Sequence, residues 1–327
     1  MLIKGYLIVI VVSLTIFTSV FLKADSKDLI NAPTRIAIYY SSDQPISQES
    51  NHVKPFQNEL KTALSLSQPN IAIEIIDLKN RIPFEVDQLL KDNPTFAITI
   101  GEKSLFRVLA SRSNVPIFSL KTSKITLDRM RKIYQPLGVD LSGIYREQPY
   151  DRQLKLAQLI APKKNNAYLL LGIMSRYQFY DYKEISLQNN FVFNYKILEN
   201  QNSTVSYFKS LSPQNGMLFL LDNPQQYDEN TIKLLLPTSY HLDVPMIGNR
   251  KVHGIYGALA SIYSSNRALI QSMDSILQQF LERGKLNSPD YLKTYSVMIN
   301  QQVAQNFGLV KLNETVIQNQ LSQVINL

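Results

Sequence analysis

The side chains best suited to catalysis or metal binding are few and scattered in this chain. It has no cysteine, and its three histidines, His52, His241 and His253, lie far apart without a carboxylate at metal-ligand spacing. The motifs GxSxG, HExxH and GxGxxG are absent, as is the phosphate loop GxxxxGK followed by Ser or Thr. The sequence therefore predicts a protein that is not an enzyme and holds no metal. Its chemistry is expected in polar turns where strands end.

Residues 141–172, LSGIYREQPYDRQLKLAQLIAPKKNNAYLLLG, show which elements position such turns. A short strand ends in a polar turn, an amphipathic helix follows, and Pro162 stops that helix. The apolar run Ala167–Leu171 then predicts a buried strand. This order is typical of a β-α-β unit, and most of the chain follows it, so the predicted fold class is α/β.

Two groups of alternating strands and helices are predicted. The first group has helices at Pro55–Ser65, Glu85–Lys91 and Ser104–Ala110 and strands at Arg35–Tyr40, Ala72–Leu78, Phe96–Gly101 and Pro116–Leu120. The second group has strands at Ser142–Tyr145, Ala167–Leu171, Phe191–Ile197, Met217–Leu221 and Val244–Ile247. No short repeat and no Gly/Ser-rich linker interrupts them. We therefore expect two doubly wound, Rossmann-like lobes that pack closely and are joined by a hinge.

The end of the chain predicts that neither lobe is continuous in sequence. GALASIYSS at 257–265 predicts a strand and turn, a long helix follows at about Asn266–Arg283, and YSVMIN predicts another strand. A helix returned to the first lobe requires several connections between lobes, which suits hinge closure over a cleft. The expected division is 33–140 with about 264–293 in the first lobe, and 141–263 with about 294–327 in the second.

Residues 1–24 are predicted to be an export signal. Lys4 precedes an apolar run from Tyr6 to Leu22, and Ala24 offers a small residue at the cleavage point. Leu22 is larger than the residue preferred there, so a retained membrane anchor is the alternative. Without cysteine there is no lipid-attachment site of the bacterial lipoprotein kind and no disulfide framework. The expected localisation is a bacterial periplasm.

Positive charge is spread along the sequence. Removing residues 1–24 discards Lys4 and Lys23 and no acid, so the net charge falls from +8 to +6. The densest basic group, Arg129–Lys132, is predicted to be one exposed helix turn. No basic stripe with interleaved aromatics occurs, which favours solvated surface over nucleic-acid binding.

Several segments follow one another in an order typical of a known family. They are AITIGEKSLFRVLASRSNVPIFSL at 97–120, SGIYREQPYDRQLKLAQLIAP at 142–162, LFLLDN at 218–223, VPMIGN at 244–249, GALAS at 257–261 and MINQQVAQNFGL at 298–309. In this order they resemble the ABC-transporter substrate-binding proteins with the type I periplasmic binding-protein fold, in particular the group that includes tryptophan- and tyrosine-binding members. The resemblance spans nearly all of residues 35–310.

The resemblance implies two lobes that close on a small organic solute, such as an amino acid or a related carboxylate, without a cofactor. It also implies delivery to an ABC permease in the inner membrane, and we expect a monomer. Two departures bear on the ligand. Lys121, Thr122 and Ser123 stand where the family often has Asp-Pro, and Ser265 and Asn266 stand where a glycine often opens the late helix. A lysine near the cleft either favours an anionic group or projects into water.

By the same resemblance, ligand contacts are expected in loops at the carboxyl ends of strands. The candidate ligand-binding residues are Ser41, Ser42, Gly101, Ser104, Thr122 and Ser123 in the first lobe and Ser175, Arg176, Asp222, Asn223 and Ser261 in the second. Gly101 at a helix start can present backbone N–H groups to a carboxylate. Ser104 is either a ligand contact or an N-cap. Asp222 either takes an α-amino group or forms an Asx turn before Pro224.

Aromatic residues crowd one loop-to-helix region of the second group. Tyr177, Phe179, Tyr180 and Tyr182 either stack on an aromatic ligand or cover an interface between helix and sheet.

Two other functional classes remain open. The same fold can serve as a ligand-sensing or protein-docking module without a transporter, in which case the changes at 121–123 mark loss of the transport ligand site. A two-lobed transferase that uses nucleotide-activated donors also pairs Rossmann-like lobes. The missing phosphate loop and the predicted export argue against the transferase.

Overall fold

The computed structural model describes most of the chain after the predicted export signal. The described residues are 34–43, 55–91, 94–111, 114–173, 175–211, 215–223 and 225–325. The predicted signal at 1–24 lies outside them. Among the helices of these residues, none combines the length and the apolar character needed to cross a membrane.

Within the part of the chain that the structure describes, the first sheet contains five parallel strands. They are β1 (Arg35–Tyr40), β2 (Ala72–Asp77), β3 (Phe96–Ile100), β4 (Ile117–Thr122) and β5 (Leu141–Tyr145), in the order β2-β1-β3-β4-β5. The helices that connect them are α1 (Phe56–Ser67), α2 (Pro83–Lys91), α3 (Glu102–Ala110) and α4 (Lys124–Tyr134), the last followed by a 3₁₀ turn at Gln135–Leu137. The central strand β3 is buried along its whole length, because helices cover both faces of the sheet.

Alternate residues of β1 show these two faces. Ile36 and Ile38 belong to the core that α1 covers, whereas Ala37 and Tyr39 belong to the core under α2, α3 and α4. The helix α1 buries one stripe at four-residue spacing, from Phe56 through Leu60 to Leu64, and this spacing is the periodicity that predicted it.

One strand lies in a different lobe from the one expected. The strand β5 was expected to open the second group, but Leu141 lies opposite Ile117 of β4, at the edge of the first sheet. The first crossing between the sheets therefore comes after Tyr145. A continuous β-α-β pattern does not reveal which sheet a strand joins, because both kinds of connection begin with a polar turn and a helix.

The second sheet contains six strands among the described residues. They are β6 (Asn166–Gly172), β7 (Val192–Leu198), β8 (Gly216–Phe219), β9 (Met246–Gly248), β10 (Ala260–Tyr263) and β11 (Ser296–Ile299), in the order β11-β10-β9-β8-β6-β7. The helices after β5 are α5 (Tyr150–Ile160), α6 (Gln178–Gln188), α7 (Gln201–Lys209), α8 (Glu229–Leu242), α9 (Lys251–Tyr256), α10 (Asn266–Arg283), α11 (Gln301–Asn306) and α12 (Glu314–Ile325). All pairings are parallel except that of β10 with β11. The predicted strands and the long helix at Asn266–Arg283 are confirmed, with shifts of a few residues at strand ends.

The helix α10 returns to the first lobe. It begins at the N-cap Ser265, whose hydroxyl accepts a hydrogen bond from the Ala268 N–H at 3.2 Å. Met273 and Phe280 then join the core of β1 and β3, where the Phe280 and Phe96 rings lie 4.7 Å apart. The chain crosses back so that β11 can pair with β10. With β5 moved to the first lobe, we propose that the rest of the expected lobe division holds.

The tight pairing of β4 with β5 requires glycine at one position. A Cβ on Gly143 would lie 2.2 Å from the backbone oxygen of Ser119, far inside van der Waals contact. We expect Gly143→Ala to lower the free energy of unfolding by about 3 kcal/mol, because the clashing atom belongs to a buried sheet. Urea denaturation followed by circular dichroism measures this change.

Gly284 provides the matched control for that substitution. It has a positive φ of 64°, but a Cβ added there would meet no heavy atom within 4 Å, so alanine costs roughly 1 kcal/mol of backbone strain. Equal destabilisation by the two substitutions would contradict the close approach at Gly143.

Candidate functional site

The serines after β1 are used by the turn that ends this strand. Ser41 is buried, and its hydroxyl bonds the Asp43 carboxylate and accepts a hydrogen bond from Arg107 Nη1 at 2.6 Å. The backbone N–H of Ser42 donates to Asp77 Oδ1 at 3.0 Å. These contacts fix the carboxyl ends of β1 and β2 relative to α3.

The turn after β3 places Gly101 at the N-cap of α3. Gly101 has a φ of 85°, in the left-handed region that favours glycine, and its N–H donates to the Leu120 carbonyl at 2.8 Å. The Ser104 hydroxyl is buried and donates to the Ile100 carbonyl at 2.8 Å. The N-cap alternative for Ser104 is therefore wrong, since Gly101 occupies that position.

A carboxylate that sequence reasoning missed organises the next turn. Glu102 Oε1 accepts hydrogen bonds from the Ser123 hydroxyl at 2.7 Å and from the Thr126 hydroxyl at 3.2 Å. Thr122 is buried, and its hydroxyl lies 2.7 Å from that of Ser119. Thr122 and Ser123 thus lie at the carboxyl edge of the first sheet, as expected, and Glu102 holds the turn that follows them.

Lys121 does not face this edge. It adopts a positive φ of 57° where the register of β4 against β5 shifts, and its Nζ lies 4.1 Å from the centre of the Phe56 ring. The ammonium group therefore packs on α1, which matches neither a role with an anionic ligand nor projection into water.

A buried ion pair links the first crossing to the second sheet. Arg146 follows β5 directly, and its Nε lies 2.6 Å from Oδ2 of Asp222, which follows β8. Arg250 Nε lies 3.5 Å from Oδ1 of the same carboxylate, whose side chain is fully buried. Burial raises the pKa of Asp222, but Arg146 and Arg250 outweigh it and hold this pKa below its ordinary value.

This geometry revises both readings of Asp222. Its Oδ2 is paired with Arg146, whereas its Oδ1 lies 3.5 Å from Arg250 Nε without a hydrogen-bond partner, so Oδ1 is the acceptor that remains for a ligand amino group. The Asx turn belongs to the next residue, because Asn223 Oδ1 accepts the Gln225 N–H at 3.2 Å. Asn223 is also held by its side-chain amide, which donates to the Ser175 hydroxyl at 3.2 Å.

Glu147 is buried beside this ion pair. Its Oε1 accepts the backbone N–H of Lys124 at 2.9 Å, at the start of α4. Burial and the nearby Asp222 raise the pKa of Glu147 to about 7, although Arg146 opposes the shift. A buried carboxyl at the crossing therefore titrates near neutral pH.

The remaining second-lobe candidates differ in exposure. The Ser175 hydroxyl is buried and accepts the Gly172 N–H at 2.9 Å, whereas Arg176 is exposed and stacks on Tyr177 with 5.0 Å between guanidinium and ring. Ser261 is fully buried within β10. Only Ser175 of these three lies in a turn that bonds other candidates.

The aromatic group at the start of α6 is divided between two environments. Tyr182 is fully buried and stacks on Tyr150 with 4.1 Å between ring centres, and Phe179 packs against Tyr195 at 4.2 Å. Tyr177 and Tyr180 are exposed. The interpretation as an interface between helix and sheet holds for Tyr182 and Phe179.

Buried polar atoms without a hydrogen-bond partner concentrate where β8 and β9 end. Among the described residues they include both amide atoms of Asn249, both ring nitrogens of His253, the Ser261 hydroxyl and Glu147 Oε2. Buried polar groups are normally satisfied by protein, water or ligand, so this edge of the second sheet is the candidate ligand site. Asn249 follows β9 directly and precedes Arg250. We call Arg146, Glu147, Asp222, Asn249 and Arg250 the interlobe cluster.

Sequence reasoning missed most of this cluster. Asp222 was selected, but Arg146, Glu147, Asn249 and Arg250 were not. The signal available in the sequence was their position directly after a strand. Arg146 and Glu147 follow β5, and Asn249 and Arg250 follow β9. Within the described residues, no group of three or more His, Cys, Asp or Glu side chains is arranged to hold a metal ion.

Comparisons with known proteins place this geometry in a structural class. No family model and no curated protein matches the sequence. Among solved structures, the chain is similar to a ligand-free, open substrate-binding protein with adhesive properties from Clostridium difficile. The two share 16% identity and a TM-score of 0.69 over 86% of this chain and 96% of that chain.

Two liganded structures show the same similarity. An ABC domain in complex with L-Trp from Streptococcus pneumonia has 12% identity and a TM-score of 0.60, over 88% of this chain and 98% of that one. An ABC-transporter periplasmic solute-binding protein from Actinobacillus succinogenes with bound D-allose has 10% identity and a TM-score of 0.52, over 83% and 99%. The chain therefore has the type I periplasmic binding-protein fold, which confirms the predicted fold class.

The buried Glu147 generates a prediction about pH. Because its pKa is higher in the folded protein than the ordinary 4.5, the folded state binds more protons between pH 4.5 and 7, and stability falls as pH rises through that window. Relative to wild type, Glu147→Gln should gain roughly 3 kcal/mol of unfolding free energy between about pH 4.5 and pH 8. Urea denaturation at the two pH values measures the gain.

The unfolding free energies of variant and wild type are compared at each pH, because His253 changes the stability of both proteins in the opposite direction to Glu147. Burial and Arg250 lower the pKa of His253 to about 3, so its contribution to stability rises with pH up to about 6.5. The exposed Glu282 on α10 supplies the control, Glu282→Gln. If Glu147→Gln follows the wild-type profile as closely as this control does, Glu147 does not titrate in that window.

Proposed function

We propose that this protein is the solute-binding component of an ABC importer and closes its two lobes on a small organic solute. The observation that carries the proposal is the set of buried, unpartnered polar atoms at the ends of β8 and β9, next to the first crossing between the sheets. In open α/β sheets, ligands bind outside the carboxyl ends of the strands. The interlobe cluster occupies that position in the second sheet.

The charges of the cluster support an amino acid or a related carboxylate as the solute. Arg250 retains about 20% of its side-chain exposure and can pair with a carboxylate, while Asp222 and Glu147 supply acceptors for an ammonium group. Asn249 offers both a donor and an acceptor. Solved neighbours hold L-Trp in one case and D-allose in another. A cluster with both signs of charge matches a zwitterion better than a sugar.

Several features support closure and transport. The chain passes between the sheets after β5, after β10 and before β11, so a hinge has three backbone segments. Lys124 and Asp128, an ion pair on α4 of the first lobe, both act electrostatically on Asp181 of α6, so charged side chains of the two lobes approach one another. The predicted export signal and a periplasmic location belong to the same proposal, as does an inner-membrane permease that recognises the closed form.

Replacement of Asn249 tests the site. We expect Asn249→Leu to weaken solute binding at least about tenfold, because it removes two hydrogen bonds to the ligand. The same substitution should leave the stability of the free protein unchanged or higher, since it removes polar atoms that have no partner. A thermal-shift screen with amino acids, small carboxylates, nucleosides and short peptides finds the solute, and calorimetry measures its affinity.

Gln153 is the matched control, because it is a buried amide whose bonds are made. Its side-chain N–H groups donate to the Leu220 carbonyl at 3.1 Å and the Ile247 carbonyl at 2.8 Å. Gln153→Leu should therefore destabilise the free protein. A solute at about 100 times its dissociation constant adds roughly 2.7 kcal/mol of stability. If no solute produces a shift, the transport proposal fails and a protein-docking module is the better account.

A further inference from the structure

A cavity lies at the carboxyl edge of the second sheet, beside the turn that follows β8. It has a volume of about 640 Å³ and is bounded by the end of β6 at Gly172, the turn between β7 and α7, and the turn after β8 at Asn223. The strand β6 lies between β7 and β8, and the chain runs from β6 outward to β7 before it returns to β8. The cavity therefore opens at the point where the strand order reverses, which is where α/β sheets bind ligands.

The chemistry of its lining differs from that of the interlobe cluster. Six of the nine lining residues carry an amide side chain, and one, Glu199, carries a charge. The amides of Asn223 and Gln226 are buried and held in place, Asn223 by the Ser175 hydroxyl at 3.2 Å and Gln226 by the Thr204 hydroxyl. Two further amides, on Asn202 and Gln225, are exposed at the rim.

The lining selects a class of ligand. Some of these amides already bond the protein, since Asn200 Oδ1 accepts the Ser203 N–H and Asn223 Oδ1 accepts the Gln225 N–H. The exposed amides of Asn202 and Gln225 can each present a donor and an acceptor, and a hydroxyl group also does both, so the rim is complementary to a ligand with several hydroxyl groups. The lining residues include no cation to attract a carboxylate or phosphate, and the single carboxylate of Glu199 accepts hydrogen bonds from hydroxyls. The volume falls in the range of small-molecule sites, about 300–1,000 Å³.

We infer that this lateral pocket, formed by Gly172, Ile173, the 199–202 turn, Asn223, Gln225 and Gln226, binds a neutral polyhydroxylated solute such as a sugar or polyol. The site goes beyond the proposed function, because all of its lining belongs to the second lobe and binding there needs no closure of the hinge. The protein then carries a charged site and a neutral site at one edge of one sheet.

The absence of tryptophan from the sequence permits a site-specific test. Ile173 lines the pocket and is 49% exposed, so Ile173→Trp places the sole indole at its mouth. Leu66→Trp, at an exposed position on α1, is the matched control. Titration of the full chain with D-glucose, D-ribose and myo-inositol should change the emission of the first variant saturably for at least one of them, and leave the control unchanged.

Replacement of the two rim amides completes the test. Asn202→Ala with Gln225→Ala should raise the dissociation constant of that solute at least about tenfold in calorimetry on the otherwise wild-type chain, with the urea midpoint unchanged. Because these proteins keep Ile173, calorimetry also shows whether sugar binding occurs without the introduced indole.

The outcomes separate this inference from the proposed function. Asn249→Leu should leave sugar binding unchanged; if it abolishes that binding while the rim variant does not, the sugar occupies the interlobe cluster and the lateral pocket is overturned. Absence of a calorimetric signal from wild type with all three solutes at about 50 mM also overturns it. Sugar binding that persists when no amino acid, carboxylate, nucleoside or peptide binds would uphold the pocket and reject the interlobe cluster as the solute site.

Discussion

The carboxylate of Asp222, buried between the guanidinium groups of Arg146 and Arg250, is the interaction on which the arrangement between the lobes depends. A carboxylate with no exposure is tolerated only where opposite charge and hydrogen bonds replace water. Arg146, in the first crossing between the sheets, supplies both the opposite charge and a hydrogen bond to Asp222. Its Nη2 also lies 3.6 Å from Oε1 of Glu102 in the first lobe. A chain of charges thus runs from the first turn of α3 to the end of β8. The buried pair therefore ties the first crossing between the sheets to the end of β8.

The turn after β8 also divides the edge of the second sheet into two chemical environments. Asp222 faces the guanidinium groups of Arg146 and Arg250, whereas the next residue, Asn223, is directed to Ser175 and the amide-lined pocket. Two adjacent side chains therefore separate charged from neutral chemistry. Consecutive residues of an extended segment project in different directions, so this one turn is enough to place the two side chains in different environments.

Sequence reasoning recovered the elements well because they depend on local patterns. The four-residue stripe of α1, the continuous apolar run of β3 and the Ser265 cap of α10 are all legible along the chain. It failed for β5, because the sheet that a strand joins is decided by contacts with Ile117 and its neighbours rather than by its own residues. Of the interlobe cluster, sequence reasoning selected Asp222 and the edge of the sheet where it lies, but none of the other four residues.

The reason lies in what the polar side chains do. Short hydroxyl side chains such as Ser41, Ser104 and Ser123 bond nearby turns, and a sequence does not distinguish that use from ligand contact. The interlobe cluster forms from residues that are distant in sequence, so Arg146 and Asn249 acquire meaning only once the sheets are assembled.

The return of α10 to the first lobe has a consequence for how the protein is made. Met273 and Phe280 complete a core begun by Ile36 and Phe96, and nearly all of the second sheet lies between them in the chain. The first lobe cannot complete its core until α10 has been synthesised, and contacts of such long sequence separation form slowly. Before that point α1 alone covers this face of the first sheet, and the apolar surface that α10 will bury stays open to wrong contacts.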